Sequence, residues 1–419
     1  MKIETVSVIG LGYIGLPTAA VIASNGIRVK GIDINQTTVD TINQGQIHII
    51  EPELETLVKH VVTQGYLSAH TQTQAADAFL IAVPTPFIGK EHQPDLTYIE
   101  TAANALAPQL KKGNLVVLES TSPVGATEKM AAWLQAARPD LSFPHTCLKN
   151  ETPDILIAHC PERVLPGQVI QELVENDRII GGMDEASTLA ATALYQTFVK
   201  QGQCIATNAR TAEMAKLTEN ASRDVQIAFA NELSMICDKQ DINVWELIKL
   251  ANLHPRVNIL QPGAGVGGHC IAVDPWFIVN QNPDEAKLIH QARKTNEFKP
   301  QWVINKIEAA CHQQTKGIDK PTIACLGLSF KPDIDDLRES PALNITQTLA
   351  LKGYNILAVE PHITALPKKF DSLENIQLID LETALEKADV IVILVKHKAF
   401  VRHAFPKKDI LDFVSSKAY

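Results

Sequence analysis

Short apolar runs alternate with stretches of helical periodicity through the first third of the chain. Residues 6–9, 28–32, 79–83 and 115–118 read as strands, and residues 14–25 as a helix with small residues on its packing face. Brief strands without inside–outside alternation, separated by helices, predict an α/β fold built on a doubly wound parallel sheet. From about residue 208 to 241 the pattern turns helical, without Pro or Gly. Met214, Leu217, Ala221, Val225 and Ala228 form an apolar stripe at 3 and 4 spacing. Beside it lie Lys216, Asn220 and Arg223, at i, i+4 and i+7. A solvated polar face would normally put acids in such a row, and none of these three positions is an acid. A long helix connecting two lobes fits this pattern.

The last hundred residues echo the first. Residues 322–326 end in Gly327 as residues 6–9 end in Gly10, and 355–359 end in Glu360 as 28–32 end in Asp33. Ala388-Asp389 opens a strand as Ala76-Asp77 does. This reads as a second Rossmann-like lobe. It lacks the second and third glycines of the first, so it is not expected to cradle a pyrophosphate in the same way. The expected layout is residues 1–207, a Rossmann-like lobe for a dinucleotide; 208–300, the long helix with a helical middle domain for dimerisation; and 301–419, the second Rossmann-like lobe.

A chain of 419 residues exceeds one ordinary core, which agrees with two or three domains. A net charge of −9 argues against nucleic acid or an anionic membrane as partner, while leaving room for a local cationic pocket. Seven cysteines, odd in number and without CxxC spacing, predict neither a disulfide framework nor a zinc site. No apolar run reaches the ~18 residues of a membrane span, and the N-terminus leads straight into a strand rather than a signal peptide. The expected compartment is the cytoplasm.

Gly10-Leu-Gly12-Tyr13-Ile14-Gly15 sits between strand and helix, the context that the dinucleotide fingerprint requires. Gly10 permits the tight turn, Gly12 lets the backbone approach a pyrophosphate, and Gly15 lets helix and strand pack closely. Asp33 closes the next strand, where a carboxylate accepts from ribose hydroxyls and repels a 2′-phosphate. NAD is therefore expected over NADP. Thr85, and the segment Glu119 to Thr127 with Thr121 in it, lie at carboxyl ends of strands, where such sheets bind ligand.

Residues 262–274 carry the most chemistry. Gly263, Gly265, Gly267 and Gly268 fall within six residues and end at His269-Cys270. Glycines so dense let the backbone fold tightly around something. A cysteine there, given thiolate character by a nearby cation such as Lys216 or His269, is a candidate nucleophile.

The chain resembles the UDP-glucose/GDP-mannose dehydrogenases nearly end to end: GLGYIG, ESTSPVG, CPERVLPG, AEMAKLTEN, GAGVGGHC followed by Asp274, and GLSFKPDIDDLRESP. Ser329 and Ala264 stand where the family commonly has Ala and Pro, and the stretch after His397 matches loosely. The resemblance implies an NAD-dependent, four-electron oxidation of a sugar-nucleotide C6 alcohol to the carboxylate through a Cys270 thiohemiacetal and thioester. It assigns Lys216 as acid/base or oxyanion cation, and Asn220 as donor to that oxygen. Asp274 would orient water or Lys216, Glu162 would serve as hydrolytic base, and Thr121 would hold water. For the cofactor it implies Gly10, Gly12, Tyr13, Ile14, Gly15, Asp33, Thr85, Thr127 and Arg338. For the UDP-sugar it implies Arg163, Val164, Lys216, Asn220, Arg223, His254, Arg256, Gly267, Phe330 and Lys331. An arginine placed like Arg256 reaches a neighbouring subunit, which implies a homodimer. Arg163 and His269, where the UDP-glucose branch usually has an aromatic and a Ser, make the chain most like the branch acting on UDP-N-acetylmannosamine in surface-polysaccharide synthesis. UDP-N-acetylglucosamine and UDP-glucose are the alternative substrates.

Three other readings are weaker. β-Hydroxyacid dehydrogenases share GLGxxG and the Lys/Asn pair but lack the glycine–cysteine loop and a second lobe. A catalytically silent sugar-nucleotide-binding protein would be expected to lose Cys270, Lys216 or Asn220. Zinc on His254, His269 and Cys270 is disfavoured because adjacent side chains diverge and the glycine loop is no rigid platform; no metal is expected.

Overall fold

The computed structural model describes residues 2–89, 91–148, 151–165, 167–268, 270–314, 320–401, 403, 405 and 410–415. It falls into two compact units, residues 1–218 and 219–419.

The first unit holds β1 (Thr5–Ile9), β2 (Arg28–Ile32), β3 (Leu67–His70), β4 (Ala78–Ile81), a small hairpin of β5 (Phe87–Ile88) and β6 (Gln93–Pro94), β7 (Asn114–Leu118), β8 (Ile155–His159), β9 (Arg178–Gly182) and β10 (Cys204–Asn208). Eight of them form one sheet in the order β10-β9-β8-β7-β4-β1-β2-β3. Neighbours are parallel except β8 and β9, so the last two strands run against the rest. Alternation within strands feeds two cores. Val6, Val8, Leu80 and Leu115 point to one layer of helices, and Ile9, Phe79, Ile81 and Val116 to the other. Both faces are thus covered, which is why the strands read as unbroken apolar runs.

The second unit contains β11 (Thr322–Leu326), β12 (Asn355–Val359), β13 (Ile376–Leu378), β14 (Val390–Ile393) and β15 (Ile410–Asp412), all parallel in the order β13-β12-β11-β14-β15. This repeats the order β3-β2-β1-β4-β7. The echo in the sequence extends to single hydrogen bonds. Gly10 (φ 91°) and Gly327 (φ 92°) both sit in the left-handed region, and each amide donates to the end of the next strand, Ile32 and Val359, at 2.8 Å. Asp77 Oδ2 accepts from the Thr5 amide at 2.9 Å, and Asp389 Oδ2 from the Thr322 amide at 2.8 Å. Each aspartate satisfies the exposed start of the central strand.

The helix expected from residue 208 spans Ala209–Lys239 and crosses the division between the units. Its buried face is less apolar than the periodicity suggests. Leu217, Ala221 and Ala228 are buried, whereas Met214 is 38% exposed. Asp224, Asn231 and Ser234 take buried positions too, and partners on the helix Lys287–Gln314 make that tolerable. Lys299, for instance, donates to Ser234 Oγ at 2.5 Å, and burial pushes its ammonium down to about 7. Among the described residues no helix is long and apolar enough to cross a membrane.

Candidate active site

In the first unit, the three fingerprint glycines meet three different constraints. A Cβ on Gly10 would lie 2.5 Å from the Ala82 carbonyl oxygen, and one on Gly15 only 1.7 Å from that of Gly10. A Cβ on Gly12 would meet nothing within 4 Å. The middle glycine therefore faces open space, as backbone offered to a ligand must, while the other two close the turn against strand and helix. Tyr13 is 41% exposed beside it. Asp33 Oδ2 accepts from the Leu11 amide at 3.1 Å and Oδ1 from Asn35 at 2.9 Å. These bonds fix the half-buried carboxylate at the mouth of the turn with lone pairs to spare. The arrangement fits a dinucleotide whose pyrophosphate lies on the helix start and whose ribose meets the acid.

Across the same sheet, the Thr85 hydroxyl donates to the Thr121 carbonyl, tying together the loops after β4 and β7. Thr127 is fully buried. Its amide and hydroxyl donate to Glu213 Oε1 at 2.8 and 2.6 Å, and Gly125 donates to Oε2 at 2.6 Å. Glu213, on the long helix, thus caps the helix Ala126–Ala137, the placement a carboxylate favours.

The loop after β8 is held from several directions. Glu162 Oε1 accepts from the Arg163 amide at 2.6 Å, and Oε2 pairs with Arg178 Nη1 at 2.7 Å, both side chains buried. Glu51 accepts from Gly167 and Val169 at 2.8 Å each, and Asn176 Nδ2 donates to the Arg163 carbonyl at 3.0 Å. Arg163 itself reaches the Asp177 carbonyl. Glu162 has the geometry of an anchor more than of a base open to water. Beneath it Glu119 is buried, with Tyr195 donating to it, and burial raises its carboxyl to about 7. Glu51, Glu213, Arg178 and Tyr195 are supports that sequence reasoning missed. They lie far along the chain from the groups they hold, and no spacing rule links them.

In the second unit, Cys270 is half-buried and not in a disulfide. Its carbonyl accepts from Val273 and Asp274 at 3.0 and 2.8 Å, where the helix Asp274–Gln281 begins. Asp274 Oδ2 accepts from Asn220 Nδ2 at 2.6 Å, so two of the expected residues meet directly. What the glycine loop folds around is now visible. A Cβ on Gly268 would strike the Phe330 ring at 2.8 Å, and one on Gly267 the Glu339 carbonyl oxygen at 2.5 Å and Pro341 at 2.8 Å. The loop lies flat against the turn after β11, which brings Gly267 beside Phe330, with Lys331 next in the chain. Arg338 pairs with Asp336 at 2.6 Å. His254 and Arg256 stand exposed on a loop whose two ends are joined by Asn252, bonded to Ile259 at 2.7 and 3.0 Å. Arg223 is exposed on the long helix and Lys216 half-buried. His269 lies outside the described residues.

Asp333, His362 and His397 are grouped closely enough to suggest a metal. His397, however, accepts at Nδ1 from the Asp333 amide (2.9 Å) and donates from Nε2 to Glu360 (3.0 Å). With both ring nitrogens used, the cluster is an internal hydrogen-bond network.

These features define the class: an NAD-dependent UDP-sugar dehydrogenase. The chain belongs to the UDP-glucose/GDP-mannose dehydrogenase family, whose NAD binding domain matches residues 4–199, central domain 210–298 and UDP binding domain 324–415. It is 65% identical to a UDP-N-acetyl-D-mannosamine dehydrogenase of Campylobacter jejuni, covering 96% of this chain and 97% of that one. It is 62% identical to an NDP-N-acetyl-D-galactosaminuronic acid dehydrogenase of Ralstonia nicotianae, over 95% and 92%. The solved UDP-D-ManNAc dehydrogenase of Pyrococcus horikoshii superposes with a TM-score of 0.87 at 37% identity, over 99% and 96% of the chains.

Proposed function

We propose that the protein oxidises the C6 alcohol of UDP-N-acetyl-D-mannosamine to the carboxylate, using two NAD per turnover, as a step in bacterial surface-polysaccharide precursor synthesis in the cytoplasm. The observation that carries the sugar assignment is the 65% identity, over nearly the whole chain, to a dehydrogenase of that name. A second reading, the same oxidation on UDP-N-acetylgalactosamine, is favoured by the 62% identical relative.

NAD, bound at the Gly10–Gly15 turn and Asp33, supplies a hydride acceptor for each of the two oxidations. The chain's own groups do the rest. Lys216 takes the C6 hydroxyl proton as the alcohol becomes an aldehyde. The Cys270 thiolate adds to the aldehyde carbon, forming the C–S bond of a thiohemiacetal; its oxygen takes a proton and is held by Asn220, which Asp274 orients. Loss of that proton with the second hydride leaves a thioester. Water adds to it, the C–S bond breaks, the thiolate is regenerated, and the carboxylate leaves as water's two protons are given up. The sum is alcohol, two NAD⁺ and water giving carboxylate, two NADH and three protons. Thr121 belongs to the setting of that water, Glu162 holds the Arg163 loop rather than acting as the base, and Thr85, Thr127 and Arg338 belong to the cofactor's setting. Arg163, Val164, Arg223, Gly267, Phe330 and Lys331 surround the UDP-sugar.

His254 and Arg256 are proposed to act across a homodimer. Phe229 and Ile236, seven residues apart on the long helix, are 52% and 45% exposed, and Leu250 and Leu253 are 57% and 76% exposed. Such an apolar surface suits a second copy. The division into residues 1–207, 208–300 and 301–419 is proposed as the functional one.

Incubation with UDP-N-acetylmannosamine, UDP-N-acetylgalactosamine, UDP-N-acetylglucosamine and UDP-glucose tests the reading. The first should give the highest kcat/KM and two NADH per acid, and Cys270→Ser should stop after one. A preference for another sugar overturns the substrate, and one NADH with free aldehyde from the wild type overturns the covalent path.

A further inference from the structure

A line of polar side chains runs along the long helix beneath the glycine loop, and apart from Asn220 none of them has a role assigned above. On the long helix, Asn220, Asp224 and Asn231 stand at i, i+4 and i+11. At 100° per residue these positions fall within about 40° of one another on one face. Asn220 bonds Asp274, as described. Asn231 Oδ1 accepts from the Gly263 amide at 2.9 Å, and its Nδ2 donates to Asn296 Oδ1 at 2.9 Å. Asn296 Nδ2 donates in turn to Asp224 Oδ1 at 2.8 Å. Arg293 Nη1 donates to the same carboxylate oxygen at 2.7 Å and lies 3.4 Å from the Ile271 carbonyl oxygen. Asp224 and Asn231 are wholly buried, and Arg293 and Asn296 are at most 3% exposed.

The bonds converge on one charge. From the Gly263 amide they pass through two carboxamides to the Asp224 carboxylate, and Arg293 donates both to that carboxylate and to the Ile271 carbonyl. Each amide orientation is therefore fixed by the charge at the end. The two backbone contacts bracket Cys270. Gly263 opens the glycine loop and Ile271 is the residue after the cysteine. A loop with four glycines has little rigidity of its own, so its position must come from what holds its ends.

We propose that Asp224, Asn231, Arg293 and Asn296 are positioning residues for Cys270, a buried relay that holds both ends of the glycine loop and so sets the thiol where it captures the aldehyde. The proposal rests on the nucleophilic reading of Cys270. Its signature is a selective loss. The first oxidation does not need the thiol, and the second does.

The test compares wild type, Asn231→Leu, Asn231→Asp and Asn296→Leu. NADH is counted per sugar consumed, with hydroxylamine present to trap free aldehyde. The rate of Cys270 alkylation by iodoacetamide is read in parallel, with Cys270→Ala as blank. Asn231→Leu and Asn296→Leu should drop the ratio from two towards one, release trappable aldehyde and change the alkylation rate at least fivefold, with KM for the sugar within twofold. Asn231→Asp keeps the acceptor for Gly263 and should fall between. Variants that keep a ratio of two and wild-type alkylation, even with lower kcat, overturn the relay. If the Leu variants do not fold, Asn231→Asp decides alone by the same readouts. A wild-type ratio of one instead overturns the Cys270 reading itself, so the two failures are told apart.

Discussion

Removing the Arg178 guanidinium tests whether the loop carrying Arg163 is held from below. Arg178 and Glu162 are both nearly inaccessible to solvent and meet at 2.7 Å. Arg178→Met keeps most of the side-chain volume but leaves Glu162 as a buried carboxylate with, among the described residues, only the Arg163 amide to compensate it. Breaking a buried pair from one side costs about 3–5 kcal/mol, a large share of the 5–15 kcal/mol typical of a folded protein. For a unit of this size the loss corresponds to roughly 6–20 °C in Tm. The double variant Arg178→Met/Glu162→Gln removes both charges and should recover about 2 kcal/mol or more of that loss, because the penalty lies in the orphaned charge rather than in the missing contact. Thermal or urea unfolding of the four proteins of this cycle supplies the numbers. A single variant losing less than about 1 kcal/mol, or a double variant less stable than Arg178→Met, would refute the reasoning.

The glycine turn makes a paired prediction. Gly15→Ala must displace backbone and should lose about 3 kcal/mol or more, whereas Gly12→Ala should unfold like wild type yet bind NAD at least tenfold more weakly by titration calorimetry; equal unfolding midpoints for the two would refute it. Asp33→Ser removes the acceptor and the charge, and should narrow the kcat/KM preference for NAD over NADP at least tenfold in steady-state assays. Glu119 binds its proton more tightly folded than unfolded, since burial lifts it from 4.5 to about 7. Between those pH values the native state holds the extra proton, so this group's contribution to stability falls as pH rises. Glu119→Gln should flatten that slope in unfolding measured from pH 5 to 8, and an unchanged slope counts against it.

Much of this architecture was legible in the chain because its signals are local. Gly10, Asp33, Asp77 and their echoes Gly327, Glu360 and Asp389 each sit at a fixed offset from an apolar run, and both sheets follow from that. β3 and β8–β10 were missed because their runs are short or interrupted by His, Arg and Gly. Periodicity alone places Val225 and Met214 in the core, yet neither is buried. The long helix instead buries Asp224 and Asn231, which only partners on a helix some seventy residues away make affordable. The supports of the candidate site failed to show for the same reason. Glu51, Arg178 and Glu213 act on backbone amides or charges distant in sequence, and a carboxylate in isolation looks like surface.

The repeated lobe poses a problem of discrimination, because the same turn, strand order and terminal acid occur twice in one polypeptide. At Asp33 the acid keeps lone pairs free. At Glu360 the equivalent carboxylate accepts from the Leu328 and Ser329 amides and from His397, and is itself only 4% exposed. His397 acts there as a tethered competitor. A ribose hydroxyl from solution would have to displace a donor present at an effective concentration on the order of millimolar or higher. The acceptor that stays open at Asp33 is thus filled from within the chain at Glu360, so the two look-alike turns differ in what their acids can still receive.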